Sequence, residues 1–261
     1  MGTINSKTIV FVTGAFVTHQ GWENWKIYFE NLGYTCILEP WPNKAGNPAE
    51  LRAKQPNDTE LAGLRYLEVV EHYANIIKKL PEKPILIGHS LGGLTVQLLL
   101  QRNLGVAAIA IHSVPPKGVL SFEFSFIKSL WNPFGLFSST RKTYLMSFKD
   151  WQYTFTNGMS YEEQKDAYLK NAIPESRKAL RDPLSNDGKI DFSKPHPPLL
   201  FISGSTDHIM PASLNYKNYK SYKHKGSVTD YKVFEGKNHF VLGLPSWKDE
   251  ADYASNWIKN N

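Results

Sequence analysis

Short β-rich runs alternating with helical stretches constrain this chain more than any other feature. "TIVFVTG" (8–14), "GYTCILEP" (33–40), "PILIG" (84–88), "VAAIAIHS" (106–113), "PPLLFISG" (197–204) and "TDYKVFEG" (229–236) each read as a strand, most of them dense in β-branched or aliphatic residues. The stretches between them repeat apolar residues every three or four positions. Trp22, Trp25, Phe29 and Leu32 mark one helix. Leu61, Leu64, Leu67, Val70, Tyr73, Ile77 and Leu80 predict a single long helix over 59–80, with Asp58 or Thr59 as its cap. Helices are also expected over 91–103, over about 211–222 and from Trp247 to Ile258, the last capped by Ser246. Alternation of this kind implies an α/β fold: a mostly parallel sheet of about six strands with helices on both faces.

One segment departs from the alternation. Residues 115–195 carry prolines, short helical patterns and many aromatics, among them Phe122, Phe124, Phe126, Trp131, Phe134, Phe137, Trp151 and Tyr153. The expected organisation is a core of 1–114 and 196–261, with 115–195 as an aromatic-rich cap or lid. Aromatics of such a cap both pack on the core and wall an apolar pocket.

Right-handed crossovers bring the C-terminal end of every strand to one sheet edge, where open α/β sheets bind ligands. The residues just past the strands are therefore the candidates for chemistry. They are Gly14-Ala15-Phe16, then Gly88-His89-Ser90-Leu91-Gly92, His112-Ser113, Asp207 in "GSTDH" and His239 in "GKNHF". Serine, aspartate and histidine follow three different strands. A serine hydroxyl needs a base to take its proton, histidine is the base suited to neutral pH, and a carboxylate orients the imidazole. Small residues around Ser90 permit the sharp strand-to-helix turn that exposes such a serine. Leu91 N–H at the helix start is one candidate oxyanion donor; Ala15 N–H, with Phe16 N–H close behind, is the second.

These motifs resemble the α/β-hydrolase superfamily, and the resemblance covers nearly the whole chain. Gly88-His89-Ser90-Leu91-Gly92 matches the G-x-S-x-G elbow, "GSTDHIMP" is similar to the family's acid loop, and "GKNHF" to its histidine loop. "TGAFVTHQGWENW" is similar to the oxyanion segment of small cofactor-free esterases, with Thr13 in place of the usual histidine. The antiparallel strand pair that often opens the fold has no counterpart here. The family's alternative acid position follows the fourth strand, and "IHSVPP" has no carboxylate there. The resemblance implies a serine hydrolase acting on a carboxylic ester of a small or medium apolar substrate through a Ser90-Asp207-His239 triad and an acyl-enzyme. Acyl transfer, thioester, lactone or amide cleavage, a lyase, peroxidase-like or cofactor-free oxygenation activity of the same fold, and a non-catalytic ligand-binding role stay open as alternatives. Ser90 argues against the aspartate-nucleophile dehalogenases. Phe240 stands where hydroxynitrile lyases carry a lysine.

Other histidines and acids read as structural. His89 is expected to point away from the site; His208, just after the acid, is assigned no role, and for His19, in the oxyanion segment, reach to substrate is the lesser reading; Asp182, Asp187 and Asp191 read as solvated or capping. With eight histidines but no H-x-H or H-E-x-x-H spacing, and one cysteine, Cys36, expected inside a strand, no metal site, disulfide or cofactor is implied. The formal charge is +6, and the Tyr/Lys stretch "NYKNYKSYKHKG" reads as a solvated helix face rather than a nucleic-acid contact. No run approaches a membrane span, and "MGTINS" matches the short N-myristoylation pattern only formally. The absence of an evident signal segment suggests a cytoplasmic protein whose partners are a small ester and water.

Overall fold

The computed structural model describes residues 4–135 and 138–261. Six strands, β1 (Thr8–Val12), β2 (Thr35–Leu38), β3 (Ile85–His89), β4 (Ala107–Ile111), β5 (Leu199–Gly204) and β6 (Thr229–Phe234), form one sheet in the order β2-β1-β3-β4-β5-β6. Every pairing is parallel. The helices are α1 (Glu23–Asn31), α2 (Pro48–Ala53), α3 (Thr59–Gly63), α4 (Tyr66–Ile77), α5 (Leu91–Gln101), α6 (Phe124–Phe134), α7 (Phe148–Thr154), α8 (Tyr161–Asn171), α9 (Arg177–Arg181), α10 (Ala212–Ser221) and α11 (Lys248–Asn260). Helices α6 to α9 all fall between β4 and β5.

Strands β1, β3, β4 and β5 are buried throughout because both faces of the sheet are covered, while β6 at the edge is half-buried and carries Asp230 and Lys232. Alternate side chains divide between two cores. Ile9, Phe11, Ile85, Ile87, Ile109 and Ile111 pack with Trp25 and Phe29 of α1 and Ala254 and Trp257 of α11, and Cys36 lies at the margin of this core. Val10, Val12, Leu86, Ala108, Ala110 and Phe201 pack with α4, α5 and Leu214 of α10. In α10, Tyr216, Tyr219 and Tyr231 of β6 stack against one another while Lys217 and Lys220 are exposed.

Two expectations need correction. The continuous helix over 59–80 is broken at Leu64-Arg65. Ser176 Oγ donates to Leu64 O (2.7 Å), and Asp182 accepts the Tyr66 N–H (3.0 Å) and both arms of the Arg65 guanidinium (2.8 Å each). These partners, from the segment between β4 and β5, replace the bonds a continuing helix would make. The break also shifts the phase, so the inner face of α4 is Tyr66, Val69, Val70, Tyr73, Ala74 and Ile77, and Leu67 is exposed. Likewise Ser246 does not cap α11. Its hydroxyl accepts from Lys237 Nζ instead. Phe137 and residues 1–3 of "MGTINS" lie outside the described residues. Among the described residues, no helix is long and apolar enough to cross a membrane.

Candidate active site

Ser90 sits at the joint of β3 and α5 with φ 58° and ψ −121°. A side chain in that conformation costs about 1–3 kcal/mol, and here three backbone bonds hold it. Ser90 N–H donates to Ile111 O (3.0 Å), and Ser90 O accepts from Gly93 and Val114 (2.9 Å each). Glycine is required both in the elbow and in the loop after β1 that faces it. A Cβ on Gly92 would lie 2.1 Å from Val12 O, and one on Gly14 would lie 2.7 Å from Ser90 Cβ. Tight packing and display of the serine are thus one requirement.

Ser90, Asp207 and His239 come together as their strand-end positions imply. Ser90 Oγ lies 3.0 Å from His239 Nε2, and His239 Nδ1 lies 2.7 Å from Asp207 Oδ2. The other carboxylate oxygen, Oδ1, accepts the Ile209 and Met210 N–H groups at 2.9 and 2.8 Å, which fixes the carboxylate plane. All three residues are buried. Burial alone would raise the Asp207 pKa, but His239 and His112 outweigh it and hold the carboxyl below the usual range.

His112, at the end of β4, is a partner the sequence did not assign. Its Nδ1 also lies 2.7 Å from Asp207 Oδ2, and its Nε2 faces Glu250 Oε1 of α11 at 3.6 Å. Burial opposes charge on this ring, yet the hydrogen bond to Asp207 and the facing Glu250 carboxyl push its pKa up to about 9. His89 behaves oppositely. Burial, reinforced by His239 and His112, holds it well below the usual imidazole range. Its Nε2–H donates to His239 O (3.0 Å), so it props the histidine loop from beneath.

The two candidate oxyanion donors differ from the third. Among the described residues, the Ala15 and Leu91 N–H groups have no hydrogen-bond partner, and both residues line a cavity of about 190 Å³ together with Ser90. Phe16 N–H is committed elsewhere: it donates to Glu175 Oε2 (3.1 Å), which removes it from the candidate oxyanion set. Phe16 has φ 67°, and its carbonyl accepts from Ile173 N–H (2.9 Å). Glu175 in turn pairs with Lys44 (2.7 Å), both side chains buried, and Lys44 Nζ lies over the Trp41 ring. Trp41 Nε1–H closes the arrangement by donating to Thr13 O (3.0 Å).

The cavity is apolar. Its walls are mainly aliphatic, including Val119, Leu130, Leu180 and Met210, with Phe126, Phe134 and Phe155. Phe122, Phe124 and Trp131 are instead exposed on the outside. His19 does not line the cavity, and His208 donates from Nδ1 to Tyr153 O. Three potential metal-ligand atoms, from His112, Asp207 and His239, lie within 4.8 Å of one another. They are already joined by the two 2.7 Å hydrogen bonds, so an ion could enter only by breaking both.

A nucleophile-type elbow, an acid and a histidine at the ends of three different strands of a parallel sheet define an α/β-hydrolase arrangement. The profile of the alpha/beta hydrolase family matches residues 9–250, and the chain belongs to that family. A search of curated protein sequences returned no match. Among solved structures the chain is similar to a monoacylglycerol lipase from Paleococcus ferrophilus (18% identity, TM-score 0.66, covering 100% of this chain and 96% of that one). It is similar to an extracellular α/β-hydrolase from a Paenibacillus species described as sharing structural and functional homology with tobacco salicylic acid binding protein 2 (18%, 0.69, 95% and 98%). A third is polyneuridine aldehyde esterase (16%, 0.64, 96% and 100%). At these identities the likeness concerns the fold.

Proposed function

We propose that this protein is a serine hydrolase that cleaves carboxylic esters of small or medium apolar substrates. One observation carries the reading: the Ser90–His239–Asp207 hydrogen-bond line ends on a hydroxyl that opens into an apolar cavity lined by two unpartnered backbone N–H groups. Ser90 Oγ attacks the ester carbonyl while His239 Nε2 takes its proton. Asp207 holds the ring with Nε2 toward the serine and stabilises the imidazolium. Leu91 and Ala15 N–H groups receive the developing oxyanion, each contributing about 2.7–4 kcal/mol. The imidazolium protonates the leaving alkoxide, and water, deprotonated by His239, releases the acid from Ser90. The segment 115–195 acts as the lid, since most of the cavity wall comes from it. The esterase and lipase neighbours support an ester substrate, and the cavity size favours a short acyl or alcohol group.

Fluorophosphonate labelling of the folded protein tests this, read by intact mass and peptide mapping. A single adduct on Ser90, absent in Ser90→Ala and slowed in His239→Ala, is the expected result. A folded wild type that takes no label defeats the reading and leaves a ligand-binding role.

A further inference from the structure

His112 and Glu250 are buried and have no part in the steps above. They are nevertheless built into the same line of contacts. His112 adopts φ 46°, and its N–H is bonded to Ile202 O (2.8 Å), so the ring is held against Asp207 by β5 itself. Room for the ring exists only because residue 204 is glycine: a Cβ there would lie 2.6 Å from His112 Cε1. On the far side, neither carboxyl oxygen of Glu250 has a hydrogen-bond partner among the described residues, and Glu250 Oε1 faces His112 Nε2 at 3.6 Å. A buried carboxyl facing a buried ring nitrogen is tolerable when one proton is shared between them.

We propose that His112 is a positioning residue: held as an imidazolium between the carboxyl groups of Asp207 and Glu250, it shares Asp207 Oδ2 with His239 and so sets the pH at which His239 accepts a proton. One oxygen that receives two ring N–H groups at 2.7 Å divides its negative charge between them. A cation already on that oxygen makes a second imidazolium at His239 less favourable. Removing that cation while keeping a donor toward Asp207 therefore makes protonation of His239 easier. The groups facing His112 are Asp207 after β5, Glu250 on α11, His239 after β6 and His89 at the end of β3 (ring centroids 6.1 and 6.0 Å away for the two histidines). Strand β4 itself adds no titratable group. The upward displacement of His112 to about 9 agrees with this placement.

As a statement about catalysis the proposal rests on the hydrolase reading; as a statement about protonation it does not. The test is histidine-selective ¹⁵N NMR of the full chain between about pH 5 and 10, the window that spans both rings. The wild type is compared with His112→Asn and with His112→Asn/Glu250→Gln. Asparagine tolerates the left-handed backbone and keeps a donor toward Asp207 but carries no charge. The double variant leaves no buried carboxyl without its counterpart. In the wild type both His112 ring nitrogens carry protons at neutral pH. In both variants the pH at which His239 becomes protonated rises by about one pH unit, and the acid limb of kcat/KM for an ester rises with it. A singly protonated, neutral His112 in the wild type overturns the proposal even if neither variant folds. So does an unmoved His239 in a folded variant, because a merely structural ring would lower Tm and leave that titration in place. Expected NMR behaviour in a protein that takes no fluorophosphonate label defeats the hydrolase reading alone.

Discussion

On the acid side of Ser90, Asp207, His112 and Glu250 come from the loop after β5, the end of β4 and α11, all elements of the sheet and its helical layers. At the Phe16 loop, Lys44 comes from the stretch after β2 and Glu175 from the segment between β4 and β5. Both clusters place charged residues out of reach of water. They differ in what their partners are. In the first, the acid meets two imidazole rings, groups that can gain or lose a proton. In the second, the acid meets an ammonium and two backbone N–H groups, Phe16 and Ser176, and it fixes a backbone conformation. The first cluster governs proton affinity; the second governs where Ala15 N–H points, and it ties that direction to the segment above the cavity.

Breaking the acid cluster has the largest expected effect. Asp207→Asn cannot accept from both rings, and kcat should fall about 10⁴-fold, the loss associated with a histidine in the wrong tautomer; steady-state kinetics on a p-nitrophenyl ester checks it. Next comes Glu175→Gln, which strands the buried Lys44 ammonium and should cost about 3–5 kcal/mol in chemical denaturation. Lys44→Met/Glu175→Leu sharpens the comparison. Stability should return to near the wild-type value, as when a buried pair is replaced by apolar side chains. Because Phe16 is no longer clamped, kcat should stay about 10²-fold down with KM little changed. Recovery of kcat with stability would show that Glu175 serves folding only.

A smaller effect concerns pH. His112 is raised in the folded state from its ordinary 6.5 to about 9. Its contribution to stability is therefore complete below about pH 6.5 and is lost as pH rises through about 9. Wild-type Tm should fall across that window, and that of His112→Asn/Glu250→Gln should fall less. The smallest change lies outside both clusters. Leu180→Ala in the cavity wall should shift the preferred acyl chain longer, by about 0.8 kcal/mol or roughly fourfold in kcat/KM per added methylene.

Much of this was legible in the residues. The elbow is largely local: Gly88-His89-Ser90-Leu91-Gly92 at a strand-to-helix junction carries two of the glycines its close approaches need, with Gly14 supplied by the loop after β1. Asp207 and His239 were legible because each follows a strand, and parallel topology carries every strand end to one edge. His112 stood in the same position, but a lone histidine closing an apolar strand reads as a strand end, and its meaning depends on Asp207, 95 residues away. Glu250 reads as an ordinary first-turn acid of α11.

Lys44 and Glu175 are further from legibility still, since they meet across 131 residues of chain with no periodicity to link them. The break at Leu64-Arg65 belongs with them, for it is imposed by Ser176 and Asp182 on a stretch whose own spacing favours a continuous helix. By itself the sequence determined the alternation of strands and helices, the elbow, and the edge where serine, acid and histidine assemble, because these follow from local pattern and the handedness of crossovers. Only the tertiary structure decided which acid shares which ring, which N–H groups stay free and which are taken, because a buried polar group finds its partner through packing, and packing brings together residues whose separation along the chain carries no signal.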